Sequence, residues 1–374
     1  MTVARSQLVD VEVTPWYHVI SKTVRGAFLL AEGEEDRKRW LEKRLEELAA
    51  CFAVEVAGFA VLDNHLHLLV RICPERAASW SDEEVVRRWG RLFPPRGKDR
   101  KPLAVSEAWV RAKLADEKFL REARGRLADL GWFMKCLKEP LARIANRCEG
   151  CQGHFWQGRF KSIAILDSEA LLAVCAYIDL NPVAAGIART PEDSPYTSLH
   201  ARVEHCRQEG RLEDLQAARA GTVAAAKACA GLDQRHWLCP LGDQREQGTK
   251  RAGLLEGFSL GSYLELVDWT SRLIRRGKAR LNAEVASILD RLGTSADVWQ
   301  ATLSRLFGRP RILGVAFAFQ RRRLQEAAAR RGCHHLANLN GCPAYAGRPW
   351  CVREIRRLAS GCRAQRRTCL RAIG

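Results

Sequence analysis

Residues 53–72 read AVEVAGFAVLDNHLHLLVRI. Two apolar stretches, Ala53 to Leu62 and His65 to Ile72, flank Asp63–Asn64, a pair that tolerates tight-turn geometry. The pattern predicts a hairpin of two strands. In the second strand His65–Leu66–His67 alternates, so both imidazoles project from one face while Leu66, Leu68 and Val70 pack on the other. Two imidazoles on one face can share a divalent cation. A lone pair of this kind more often means two exposed histidines on a half-buried strand, so its meaning depends on the rest of the chain.

Upstream, Trp16 to Lys22 (WYHVISK) alternates like a strand. In the run from Glu32 to Phe52, Trp40, Leu41, Leu45, Leu48 and Phe52 recur at helical spacing. Downstream, Pro74 to about Leu130 is charged and helical, broken by FPPRGKDRKP (Phe93 to Pro102), and reads as an insertion. A helix follows from about Leu130 to Arg147, with Pro140 expected to bend it. The loop Gly150 to Gly153 leads into FWQGRFKSIAI (Phe155 to Ile165). A second helix is expected from Asp167 to about Leu180, opened by Asp167 or Ser168 as N-cap and ended by Asn181–Pro182. The order is strand, helix, two strands, helices, strand, helix. It predicts an α+β fold with a ferredoxin-like split βαβ antiparallel sheet over residues 1–203, the insertion spanning about 74–130. Residues 204–374 are expected to form a mainly helical, basic region.

The chain has 374 residues, with 61 Lys+Arg against 43 Asp+Glu, a formal net charge of +18. A hydrophobic fraction of 47% excludes a wholly disordered chain. No apolar run approaches the roughly 18–20 residues of a membrane span, and the N-terminus lacks the apolar core of a signal peptide. A cytoplasmic protein with no membrane partner is expected. The surplus positive charge points to a polyanion, most simply nucleic acid. Fourteen cysteines include one CxxC, Cys148 to Cys151, with His154 beyond it. The next candidates, Cys333, His334, His335 and Cys342, lie some 180 residues away, so thiols rather than a zinc site are expected.

The motifs acquire meaning together. A strand with histidine–hydrophobe–histidine, then FWQGRFKS, then a helix ending in AYIDLNPVAAG (Ala176 to Gly186) resembles the single-tyrosine HUH transposases, particularly the REP-associated tyrosine transposases and their insertion-sequence relatives. The similarity runs from about Tyr17 to Ser198. It implies an enzyme that cuts and rejoins single-stranded DNA at hairpin-forming, REP-like ends through a 5′-phosphotyrosine, without ATP. Carried onto this chain, Tyr177 is the nucleophile; a free phenol has a pKa of about 10 and needs a base or a nearby cation. His65 and His67 would hold Mg²⁺ or Mn²⁺, imidazole suiting Mn²⁺ better. Asn181, four residues after Tyr177 and so on its face, would be the third ligand; the competing reading makes Asn181 a helix cap before Pro182. Asp63 and Glu55 are further carboxylates close to the histidines. The resemblance leaves open a site within one chain or shared across a homodimer.

Gln157, Arg159 and Lys161 are expected to contact DNA, whereas Phe155, Trp156 and Phe160 suit the core. His18 reads as a satisfied core or surface histidine, and Glu139 and Glu149 as solvated charges. Helices are expected over Tyr263 to Arg276, Val298 to Leu306 and Gln320 to Arg331. From Arg348 onward eight arginines, Arg356, Arg357 and Arg366 among them, face only Glu354, the pattern of a phosphate-binding arm. Two other classes compete: a domesticated regulator that binds hairpin DNA or RNA without cutting, and a metal-dependent hydrolase in which Tyr177 is only a core residue.

Overall fold

The computed structural model describes residues 8–12, 14–31, 36–165, 168–217, 231–243, 251–256, 258–276, 285–286, 289 and 294–308. In chain order the elements are β1 (Trp16–Lys22), α1 (Arg37–Cys51), β2 (Val54–Val61), β3 (His65–Ile72), α2 (Pro74–Ser79), α3 (Asp82–Leu92), α4 (Glu107–Leu114), α5 (Glu117–Leu127), α6 (Leu130–Cys148), β4 (Lys161–Ala164), α7 (Ser168–Ala184), α8 (Ser198–Gln208), α9 (Leu212–Ala217), β5 (Gly242–Asp243), β6 (Leu255–Glu256), α10 (Leu260–Arg276) and α11 (Ala296–Gly308). The protein is α+β, with a four-stranded antiparallel sheet ordered β2-β3-β1-β4. Two compact units can be distinguished: Val19–Lys161 with Ile178–Asp268, and Met1–His18 with Ser162–Tyr177 and Trp269–Gly374.

In the first unit the expected hairpin forms. Strand β2 pairs with β3 from Val54↔Ile72 to Val61↔Leu66, with a bulge between Val56 and Gly58. Beyond its alternating histidines, β3 is apolar on both faces: Leu66, Leu68, Leu69 and Val70 are all 0% exposed. Strand β2 lies at the sheet edge, and its free polar groups are covered rather than left as a template for another strand. Val61 N–H donates to Tyr196 O at 3.0 Å, and Cys239 N–H donates to Val56 O at 2.7 Å. Arg202 bridges Ala57 O and Cys239 O, each at 2.8 Å.

Helices α3, α4 and α5 of the insertion build a core of their own around Val86, Val110 and Leu120. Arg124 gathers the last carbonyls of α2 and its exit, donating to Ala77 O and Trp80 O. Trp89, Phe93 and Trp132 pack ring against ring, with the Arg126 guanidinium over two of those indoles.

The second unit ties β1 to β4 at one end, where Ile165 N–H donates to Trp16 O at 3.0 Å and Thr14 Oγ1 donates to Ile165 O at 2.5 Å. Tyr17 is buried and its hydroxyl donates to Asp10 O. Trp299 of α11, 0% exposed, donates its indole N–H to Thr270 Oγ1 of α10.

One expectation needs correction. Helix α7 does not stop at Asn181–Pro182 but continues to Ala184. Pro182 removes one backbone bond, yet the helix is apolar nearly all round, and Leu172, Ile178, Leu180 and Val183 are buried. Packing therefore outweighs the roughly 3 kcal/mol a proline costs a helix. The end is made instead at Gly186, φ +73°, with Ile187 N–H bonded to Pro182 O and Gly186 N–H to Val183 O, a Schellman pair. The division at 203/204 falls inside α8, where Arg202 and Cys206 are each 1% exposed, so the packing continues past the point where composition shifts. The expected helix over 320–331 and the arginine-rich 348–374, with Arg356, Arg357 and Arg366, lie outside the described residues, as does the N-cap candidate Asp167.

Candidate active site

His65 opens β3 directly after the turn, and the turn fixes its tautomer. Asn64 donates its amide N–H to Gly26 O at 3.0 Å, which leaves the amide oxygen to face His65 Nδ1 at 2.6 Å. Gly26, at φ +71°, presents that carbonyl from a backbone conformation a side chain would strain. Nδ1 therefore carries the proton and Nε2 keeps its lone pair. His67 follows on the same face, 2% exposed, its ring 4.8 Å from that of His65 and nearly perpendicular to it. Burial, with Lys22 adding to it, pushes the His65 pKa down to about 4, despite opposing pulls from Asp63 and a hydrogen bond with the Asn181 side chain. His65 is thus neutral at physiological pH, the form that donates a lone pair.

Asn181 lies within α7, not at its end, so it is no helix cap. Its side chain meets His65. The structure brings together three of the expected residues: His65, His67 and Asn181. Tyr177 sits one helical turn earlier on α7, 5% exposed, with its ring edge-on to His18 at 5.9 Å. His18 is itself 3% exposed, and burial holds its pKa down to about 3.

The two carboxylates nearest the histidines in sequence are committed elsewhere. Glu55 is ion-paired to Arg71 and Arg76, and Asp63 to Lys38. Among the described residues no three His, Cys, Asp or Glu side chains converge on a metal position. A cation here would have two imidazoles and an amide oxygen from the protein, with water or a phosphate oxygen supplying the rest. That neutral N,N,O donor set fits Mn²⁺ better than Mg²⁺.

Gln157, Arg159 and Lys161 are exposed and Phe155 and Trp156 are buried, whereas Phe160, also expected in the core, is only half-buried. Trp156 also donates its indole N–H to Lys138 O. Glu149 is no ordinary solvated charge: it pairs with Arg37, which is 3% exposed. Glu139 pairs with Arg143 along α6.

Sequence reasoning missed a second polar cluster, centred on Asp179 of α7. Asp179 is 0% exposed and accepts from Ser198 Oγ at 2.6 Å, Leu199 N at 2.9 Å and Tyr263 Oη at 2.5 Å. Burial pushes its pKa up, while those donors and nearby Arg202 oppose the rise. The available signal was an aspartate in an otherwise apolar helix. It also missed Lys22 as a cation beside His65.

No family model matches the chain, and no curated protein matches it. One solved structure, a REP-associated tyrosine transposase bound to a REP hairpin, aligns over 50% of this chain and 78% of its own at 16% identity and a TM-score of 0.30. That is a distant structural relationship, which leaves fold and function to be argued from this chain's own residues. Among the described residues no helix is long and apolar enough to cross a membrane.

Proposed function

We propose that this chain is a DNA strand-transfer enzyme that cleaves and rejoins single-stranded DNA at hairpin-forming ends, with Tyr177 as nucleophile. The sheet order β2-β3-β1-β4, with α1 between β1 and β2 and α6 between β3 and β4, supports a ferredoxin-like split βαβ of the HUH endonuclease type. The observation that carries the reading is the meeting of His65 with Asn181 on the helix that holds Tyr177 one turn earlier.

In this scheme the Tyr177 hydroxyl oxygen attacks phosphorus, the bond from phosphorus to the 3′ oxygen breaks, and the leaving oxygen takes up a proton. The products are a 5′-phosphotyrosine and a 3′-OH, and rejoining reverses both bond changes. Since one ester replaces another, no ATP is consumed. His65, His67 and Asn181 would hold a divalent cation, which when bound would offset charge developing on the phosphate. Asn64 fixes the His65 ring, and Lys22, Arg159, Lys161 and Gln157 position the strand through phosphate contacts. The basic 348–374 segment adds sequence-independent affinity.

A second reading, a regulator that binds hairpin nucleic acid without cutting, is favoured by the burial of Tyr177. The two separate on cleavage of a labelled hairpin oligonucleotide in Mn²⁺. His65→Ala and His67→Ala should each abolish most cleavage, and EDTA should do the same to the wild type. Full activity in excess EDTA would make the histidine pair structural.

A further inference from the structure

Several surface cations on the helices of this protein are spent on neighbours. Arg44 pairs with Glu47, Arg87 with Glu83, Arg88 with Glu84, Arg126 with Glu122, Arg143 with Glu139 and Arg207 with Glu204. One cleft gathers cations that are not. It encloses about 690 Å³ between α1 and α6 and is lined by Asp36, Arg39, Trp40, Lys43, Ile144, Arg147 and Cys148. Arg39, Lys43 and Arg147 are all exposed, and among the described residues none of them forms an ion pair within 4.0 Å.

The lining follows from helix geometry. Positions 36, 39, 40 and 43 form one face of α1 and its cap, and 144, 147 and 148 one face of α6. Arg39 and Lys43 stand about 6 Å apart along the axis, the scale of successive phosphates on an extended strand. Trp40 lies between them, half-buried, as an aromatic surface with cations on either side. The one carboxylate, Asp36, is occupied: it accepts from Arg39 N at 2.9 Å and from Tyr196 Oη at 2.6 Å. Three cations line the cleft; of the carboxylates near them, Asp36 is engaged and Glu42, which feels Arg39, lies outside the lining. Leaving three like charges together costs folding free energy, and an anionic ligand removes that cost. Cations interleaved with an aromatic plane suit a nucleic-acid single strand, phosphates on the cations and a base on the indole.

We infer that the α1–α6 cleft is a docking groove for single-stranded DNA, separate from the residues that carry the chemistry. The inference rests on the DNA reading above and adds where a flanking strand is held.

The test uses the full chain and a short fluorescent single strand of DNA without a hairpin, titrated across a range of salt. The variant Arg39→Gln/Lys43→Gln/Arg147→Gln should lower the slope of log K against log[salt] by about two, three phosphates at about 0.7 each. Arg39→Lys/Arg147→Lys should restore the slope, which guards against a folding artefact. Trp40→Leu should weaken binding about tenfold with little change in slope, because stacking is not salt-linked. An unchanged slope in the triple glutamine variant would overturn the groove, as would a wild type that binds no single strand at all. Tyr177→Phe should bind like the wild type. Groove-dependent binding with no covalent adduct in the wild type would sink strand transfer and keep the groove; an adduct with an unchanged slope in the triple variant would do the reverse.

Discussion

Two buried polar clusters hang on helix α7, and they are built to opposite ends. Around Asp179, hydrogen bonds converge on one carboxylate from Ser198, Leu199 and Tyr263, and nothing of it reaches solvent. Two residues on, Asn181 meets His65, a neutral imidazole whose proton is pinned on Nδ1 by Asn64. The first cluster saturates its acceptor, as a structural polar group must. The second sets two imidazoles and an amide beside one another. The difference separates a brace from the proposed site: saturation holds segments together, while the proposed site would be completed by a ligand.

Substitutions should divide along that line. The largest effect is expected at the brace. Asp179→Ala strands three donors and the Arg202 charge in the interior, and should cost about 3–5 kcal/mol, seen as a large fall in the denaturation midpoint. Equal stability of variant and wild type would remove the brace from the account. Acidification comes next. Burial lowers the pKa of His18 to about 3 and that of His236 to about 2 from an unfolded value of about 6.5. A depressed folded pKa means the unfolded chain takes up protons first, so this stability is present above pH 6.5 and is lost as pH falls toward the folded values. These two groups alone imply a loss of about 2–4 kcal/mol between pH 6.5 and 5, and His65, held down to about 4, adds to it. Chemical denaturation at both pH values measures it, and a flat profile would contradict the burial of these rings.

Smaller still, Glu149→Gln should cost about 1–2 kcal/mol by leaving Arg37 with a weaker partner on its buried guanidinium. Glu139→Gln, on an exposed pair, should cost under about 0.5 kcal/mol. At the candidate site the stability effect is expected to be small beside the loss of function: His65→Ala should shift stability by about 1 kcal/mol while losing activity. A His65→Ala variant that fails to fold would place the histidines with the brace.

What was legible in the sequence was whatever local pattern decides. The hairpin showed in the Asp63–Asn64 turn between alternating strands, and the placement of Phe155 and Trp156 inside with Arg159 and Lys161 outside followed from chemistry alone. The end of α7 was misread because Pro182 carries a strong local signal, and only the packing around Ile178, Leu180 and Val183 overrides it. Glu149 looked solvated because its partner, Arg37, lies 112 residues away. Asp179 showed only as an aspartate in an apolar helix; its partners Ser198 and Tyr263 are remote in sequence, and no spacing rule links them. The bonds of Arg202 to Ala57 and Cys239 are likewise long-range and carry no local signal.

The most direct test of the central claim is a covalent trap. The wild type and Tyr177→Phe are incubated with a labelled hairpin oligonucleotide and Mn²⁺, denatured, and resolved by gel. The account predicts a protein–DNA adduct for the wild type, lost in Tyr177→Phe although that variant still binds the DNA. An adduct of equal yield from Tyr177→Phe, or cleavage by the wild type with no adduct, would contradict it.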